Sequence, residues 1–328
     1  MLAYTLRRLA TAVVMLLAIA LATFLLFFGT PKDPARALCG KPCSADQLAQ
    51  VRAYLQLDHG VWWQFWEFLK GLVIGRQFGS GPAGQHCGAP CFGYSFPHHE
   101  SASSLIWERL PVTVSISAGA AVLCLLLGIG LGTLAAIRPG SWIDRFATAF
   151  SMVGVAVPSF LIGLLVVLVL GFGLDAIPYS GYVPLTESPP QWAWHLIGPW
   201  LVLSVLLAAA YVRITRTQLL GELSAVHLIA MRARGVPAAG VTRHAIRGVL
   251  IPVLTMFGLD LAALLGGSVI TERVFSLHGL GDLLLTSVTE SDLGLVVAIT
   301  MASAFFIIIA NLCMDLLLPI LDPRIRRG

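Results

Sequence analysis

Charge is what this sequence has least of. Asp, Glu, Lys and Arg together make up 12% of its 328 residues, against 57% hydrophobic residues, and mean hydropathy is +0.84. A chain so poor in charge cannot keep most of its surface in water, so its solvent over most of its length is lipid. Lysine is nearly absent, with only Lys32, Lys41 and Lys70. None of them is both preceded by glycine and followed by Ser or Thr, which excludes ATP binding through a G-x-x-x-x-G-K-[ST] loop. "GIGLG" at Gly128–Gly132 imitates part of a dinucleotide fingerprint. It lies inside an apolar run, however, where closely spaced glycines mean tight helix packing. No enzyme motif is left, and no catalytic residue, metal ligand set or cofactor is expected on this chain.

Long hydrophobic runs are what the sequence has instead. Six of them, Leu9–Gly29, Val112–Ile137, Phe146–Gly171, Trp192–Val212, Val249–Ile270 and Leu295–Ile320, reach the roughly 20 residues that a bilayer-spanning helix needs. They predict an all-α integral membrane protein with six transmembrane helices. The first run follows Arg7 and Arg8 but is too long for a signal peptide, and "FFGTPKDPAR" has no small-x-small cleavage site, so it is expected to be retained. Arg7, Arg8, Arg138, Arg145, the group from Arg213 to Arg247, and Arg324, Arg326 and Arg327 fall on one side of such a chain. By the positive-inside rule that side is cytoplasmic and holds both termini. The net charge of +4 is thus a topogenic signal, and nucleic acid is not an expected partner.

The organisation that follows has a transmembrane helix in residues 1–30, an extracytoplasmic segment in 31–109, a five-helix core in 110–321 with a cytoplasmic loop at 213–248, and a tail at 322–328. In the outer segment, "VWWQFWEFLKGL" reads as an amphipathic helix. It either lies at the headgroup level or packs on the outer ends of the spans, and the two readings are compatible. The same segment carries "CGKPC" (Cys39, Cys43) and "CGAPC" (Cys87, Cys91). An oxidising exterior makes disulfides the expectation, and four cysteines leave three pairings open.

"RGVPAAGVTRHAIRGVLIP", Arg234–Pro252, sits between two of the apolar runs. Gly235 is expected to end a helix running in from the fourth span. Pro237 then suits the first turn of a new short helix, reaching Arg247, in which Val241 and Ala245 share one face and Arg243 and Arg247 another. Read by itself, the stretch is either a docking element for another protein or a loop that obeys the positive-inside rule.

"ARGV…HAIRGVLIPVLT" resembles the cytoplasmic loop of the B-type permease subunits of dipeptide, oligopeptide and nickel ABC importers. The likeness extends over nearly the whole chain through "LRRL", "DPARALCG", "ERLPVTVSIS", "GIGLGTLAAIRPGSWIDR", "VPSFLIGLL", "IPYSGY", "VRITRTQLL", "LGGSVITERVFSLHGLGDLL" and "NLCMDLLLPILDPRIR". The resemblance implies the type-1 importer permease fold. It also implies a homologous second permease, two ATPase subunits that hold the ATP and Mg, an external solute-binding protein, and membrane lipids around a multi-pass protein of the bacterial inner membrane. Peptides are the implied cargo; nickel, haem-like compounds and glycopeptides use similar folds, and a stand-alone secondary transporter is the rival class. Arg232, Arg234, Gly235, Val236, Pro237, Val241, Arg243, His244, Arg247 and Pro252 are the implied coupling residues. Pro158, Ser159, Phe160 and Asp260 are expected on the pathway, and Glu272 and Arg273 toward the receptor. Asp260 is expected either to meet a substrate ammonium group or to pair with a neighbouring helix. The loop departs from the family pattern at Ala225, Val226 and His227 and at Ile229, Ala230 and Met231, where an acidic and aromatic pair and Arg-Thr-Ala are usual.

Overall fold

The computed structural model describes residues 2–25, 35, 44–55, 59–78, 85–95 and 97–321, and most of them are helical. Helix α1 (Leu2–Phe24) is followed by α2 (Ala45–Leu55) and α3 (Val61–Ile74). Two short antiparallel hairpins come next, β1 (Arg76–Phe78) with β2 (Gln85–Cys87) and β3 (Tyr94–Ser95) with β4 (Glu100–Ser101). The chain then forms α4 (Ala102–Ile137), α5 (Trp142–Ala156), and α6 (Ser159–Val166) with a π-helical continuation over Val167–Gly173. It closes with α7 (Pro189–Leu223), α8 (Val226–Ala233), α9 (Ala238–Gly267), α10 (Val269–Val274), α11 (Leu280–Thr289) and α12 (Leu293–Leu321).

Among the described residues, Thr5–Phe24, Ala102–Ile137, Pro189–Leu223 and Gly294–Leu316 are each long and apolar enough to cross a membrane, and α5 with α6 adds a fifth span if the pair is one. That pair is bent by 111°, so the expected kink at Pro158 is a break. Proline lacks the N–H that would continue the helix and pushes the residue before it out of the α region. Val157 accordingly sits at φ −90, ψ 130, and Pro158 becomes the N-cap of α6. The run expected as the span Val249–Ile270 lies on α9, which begins at Ala238 and ends at Gly267. The basic stretch and the apolar run are therefore one helix.

Two compact units divide the chain. The first takes Val114–Leu277 together with the last helix from Ala310 onward. In it α7 packs on α5, α6 and α9. Gly128 and Gly132 of α4 lie against Tyr211 and Thr215 of α7, and a Cβ at Gly132 would come within 2.6 Å of the Thr215 Cβ. Glycine is what permits that close crossing. At the start of α5, the Ser141 side chain caps Asp144 N, and the buried Asp144 carboxylate accepts Gly140 N–H at 2.8 Å and Arg216 Nη2 at 3.0 Å, with Arg216 Nε on its other oxygen. An arginine of α7 thus clamps the first turn of α5 in a two-pronged geometry.

The second unit takes Leu2–Thr113 and His278–Ile309. Leu105 and Ile106 of α4 pack with Leu283 of α11 and Leu295 and Ile299 of α12. A second cluster joins Ala20 and Phe24 of α1 to Phe68 of α3 and Met301 of α12. Helix α3 is amphipathic as expected: Phe68 is buried, whereas Trp62 and Trp66 on its other face are exposed. Cys87 and Cys91 form a disulfide; Cys39 and Cys43 lie outside the described residues. Asp292 caps α12 through Leu295 N at 3.1 Å, accepts the Ser95 hydroxyl, and has His98 Nδ1 at 4.0 Å. The hairpin β3–β4 is thereby tied to the turn between α11 and α12.

Candidate functional site

The connection between α7 and α9 is built by its punctuation. Helix α7 stops at Leu223, and Ala225 in an extended conformation caps the separate two-turn helix α8. Gly235, at φ +80, closes α8 by donating to Arg232 O at 3.0 Å while Val236 N reaches Met231 O at 3.2 Å. This is the six-to-one and five-to-two pair of a Schellman cap, which needs a left-handed residue that glycine adopts without strain. Pro237 follows as the N-cap of α9, with Gly240 N and Val241 N on its carbonyl. Gly235 therefore does end a helix, but that helix is α8 and not a continuation of the fourth span.

The short helix expected over Val236–Arg247 is replaced by the first turns of α9. Val241, Ala245, Val249 and Val253 recur every fourth residue and form one buried stripe inside the chain. Nothing between Arg247 and Val249 breaks the period, and Gly248 allows Glu222 of α7 to lie against it, with its Cδ 3.2 Å from where a Cβ would be. Val241 and Ala245 are each 1% exposed, so they are not a free docking face. The exposed apolar side chains of this connection are on α8 instead, Val226 at 82% and Ile229 at 52%, while Leu228 between them is buried and anchors the helix. His227 Nε2 stands 3.9 Å from a Glu222 carboxylate oxygen, and its ring is 6.3 Å from that of His244. Arg232 and Arg234 at the end of α8, and Arg243, His244 and Arg247 along α9, are all exposed, so the connection carries several solvent-facing basic side chains. Pro252 lies inside α9, half-buried. In the sequence, the pairing of Val226 with Ile229 one turn later, bounded by Ser224 and Gly235, marks this exposed face of α8.

The expected pathway residues fall at two places in the first unit. Pro158, Ser159 and Phe160 form the start of α6 just after the break, with Phe160 exposed. Asp260 of α9 is half-buried and accepts a 2.6 Å hydrogen bond from the hydroxyl of Tyr211, a fully buried α7 residue whose ring meets Phe257 edge-on. The carboxylate thus has a hydrogen-bond partner on a neighbouring helix, as expected for an ionisable group within an apolar run; α9 itself is not among the helices long and apolar enough to cross a membrane in the described residues. Of the pair expected to face a receptor, Arg273 is exposed and Glu272 is fully buried, accepting the Ser268 hydroxyl at 2.9 Å. In the six-residue helix α10, one side must face inward, and Glu272 is on it, not on the exposed side with Arg273.

The chain is mostly helical, with a bent helix pair α5–α6 and a capped short helix α8 between the long helices α7 and α9. Residues 1–117 match the N-terminal part of binding-protein-dependent transport system membrane components, and residues 128–327 match the binding-protein-dependent transport system inner membrane component. The chain belongs to this family and is an ABC importer permease. It is 33% identical to a protein of Brucella abortus (strain 2308) described as a peptide transport system permease, over 99% of both chains. It is 32% identical to the glutathione transport system permease protein GsiC of Salmonella typhimurium, again over 99% of both. Among solved structures, the inward-facing MetNI methionine ABC transporter aligns with a TM-score of 0.50 at 18% identity, over 67% of this chain and 97% of that one. The shared fold is that of type-1 permeases.

Proposed function

We propose that this chain forms half of the translocation pathway of an ATP-driven importer of short peptides. The observation that carries the cargo class is the full-length similarity to permeases described for peptides and for glutathione, itself a tripeptide. A homologous second permease completes the pathway, two ATPase subunits bind and hydrolyse ATP with Mg, and an external solute-binding protein delivers the peptide. The permease is itself non-catalytic, and both of its termini are cytoplasmic. Helix α8 enters a groove on an ATPase subunit, with Val226 and Ile229 as its apolar anchors and Arg232, Arg234, Arg243, His244 and Arg247 around them. ATP inside and loaded receptor outside each favour one state of the bundle, so binding energy is converted into a change of access. Pro158 at the break between α5 and α6 supplies a hinge, and Asp260 lies on the pathway.

The test is reconstitution of the complete complex in vesicles with its receptor. ATP-dependent uptake of a labelled dipeptide or tripeptide is expected, abolished without the receptor. Uptake of a nickel chelate or haem in place of peptide would reassign the cargo. Uptake driven by an ion gradient without ATPase subunits would remove the reading altogether.

A further inference from the structure

We propose that the second unit holds one acyl chain of a membrane phospholipid in a cavity between α1, α3, α4 and α12. The cavity measures about 380 Å³, and its walls include Leu17 and Ala20 of α1, Leu72 of α3, Phe92, Trp107 of α4 and Phe305 of α12. Every lining side chain is hydrophobic and almost all of the lining surface is apolar, so a water molecule would be poorly supplied with the two to four polar partners it needs there. A peptide is equally unsuited, because its backbone amides would be buried without hydrogen bonds. Three of the lining helices, α1, α4 and α12, are long and apolar enough to cross a membrane, so lipid tails are the apolar molecules available to the cavity. The mouth is open: Leu17, Trp107 and Phe305 are all exposed at its edge. Ala20 is the smallest wall residue, and its missing side-chain volume contributes to the space.

Two basic side chains near the cavity wall, Lys70 and Arg109, each stand beside a carboxylate, so the apolar lining and not a net charge selects the occupant. Lys70 sits on α3 between Leu69 and Leu72, both of which line the cavity, and is half exposed beside Glu67 at 3.3 Å. Arg109 lies three residues along α4 from Ile106, another wall residue, and therefore on the same side of that helix. Its Nε is buried without a hydrogen-bond partner, with the Glu108 carboxylate 3.9 Å away. The phosphate of a phospholipid whose acyl chain enters the cavity stays outside it, at the membrane surface. The exposed Trp62 and Trp66 on the outer face of α3 suit the headgroup level, where such a phosphate resides. The inference does not depend on the nature of the cargo.

The experiment uses the full complex in vesicles of phosphatidylethanolamine and phosphatidylglycerol that contain a phospholipid with a photoactivatable group midway along one acyl chain. After illumination, mass spectrometry maps the label. The expected result is label concentrated on the α1, α3 and Trp107 peptides, and lost several-fold in Ala20→Phe, which fills the cavity, while label on other lipid-facing helices is unchanged. Should Ala20→Phe fail to fold, Leu72→Phe from the opposite wall replaces it. Label spread evenly over all spans, or unaffected by filling the cavity, overturns the proposal. So does a cross-link from a cysteine placed at Trp107 to the second permease, since that subunit would then be the occupant.

Discussion

An ionisable side chain inside an apolar span costs about 2.5–3.5 kcal/mol to insert, and the hydrogen bond from Tyr211 to Asp260 is what offsets part of that cost. Tyr211→Phe removes the donor and leaves the carboxylate desolvated, so a loss of about 1–3 kcal/mol of stability is expected, read as a lower unfolding temperature in detergent. Asp260→Asn keeps an acceptor for the hydroxyl and should preserve the yield of complex while altering uptake. Loss of folded complex in Asp260→Asn would make the charge itself structural and remove Asp260 from the pathway. At Asp292, outside the spans, burial pushes the carboxyl above its ordinary value, and this outweighs the opposing hydrogen bonds from Ser95 and Leu295 N. The folded state therefore holds that proton more tightly than the unfolded chain, whose Asp titrates near about 3.9. The stabilising contribution is complete below that value and is lost as pH rises through the raised folded pKa. Asp292→Asn still caps α12 but does not titrate, so it should flatten the pH dependence of amide-exchange protection in the β3–β4 hairpin just above the ordinary carboxylate range. An unchanged profile would exclude Asp292 as its source.

Helix α8 and the first turns of α9 make opposite predictions for the same kind of substitution. Val226→Asp places a charge on an exposed side chain, so the chain should insert and fold normally but lose its ATPase subunit or its receptor-stimulated ATP hydrolysis. Val241→Asp buries an unpaired carboxylate within this chain and should lower the yield of folded permease itself. Normal coupling in Val226→Asp would show that α8 is not the contact. The contrast also marks how far the elements could be read from sequence. The apolar runs on α1, α4, α7 and α12, the glycine crossing at Gly132 and the helix end at Gly235 follow from composition and local backbone chemistry, and these were legible. The burial of Val241 and Ala245 was not, because they carry the same i,i+4 pattern whether a helix buries them against its own chain or offers them to another. Glu272 was misread for a related reason: a charge near the end of a span suggests solvent, and only its contact with Ser268 reveals that it points inward.

Across the whole molecule, the basic residues decide how the broken pair α5–α6 crosses the membrane. Arg7 and Arg8 precede or begin the first span, Arg138 and Arg145 flank the connection from α4 to α5, and Arg213 to Arg247 surround α8. The positive-inside rule predicts all three groups on one side. Helices α1 and α4 form two crossings, which returns the chain to its starting side at Pro139. For α8 to return to that same side after α7, α5 and α6 together must cross once, so their 111° bend is expected to be a break within a single span rather than a re-entrant turn. In intact cells whose outer barrier has been opened, with the native unpaired cysteines replaced by alanine, single cysteines at Pro139, Thr186 and Val226 separate the two cases. A membrane-impermeant maleimide should label Thr186→Cys and leave Pro139→Cys and Val226→Cys unlabelled until the membrane is permeabilised. A re-entrant pair would instead return the chain to the cytoplasmic side before α7, protecting Thr186→Cys and exposing Val226→Cys. That outcome would place α8 outside the cell, beyond the reach of any ATPase.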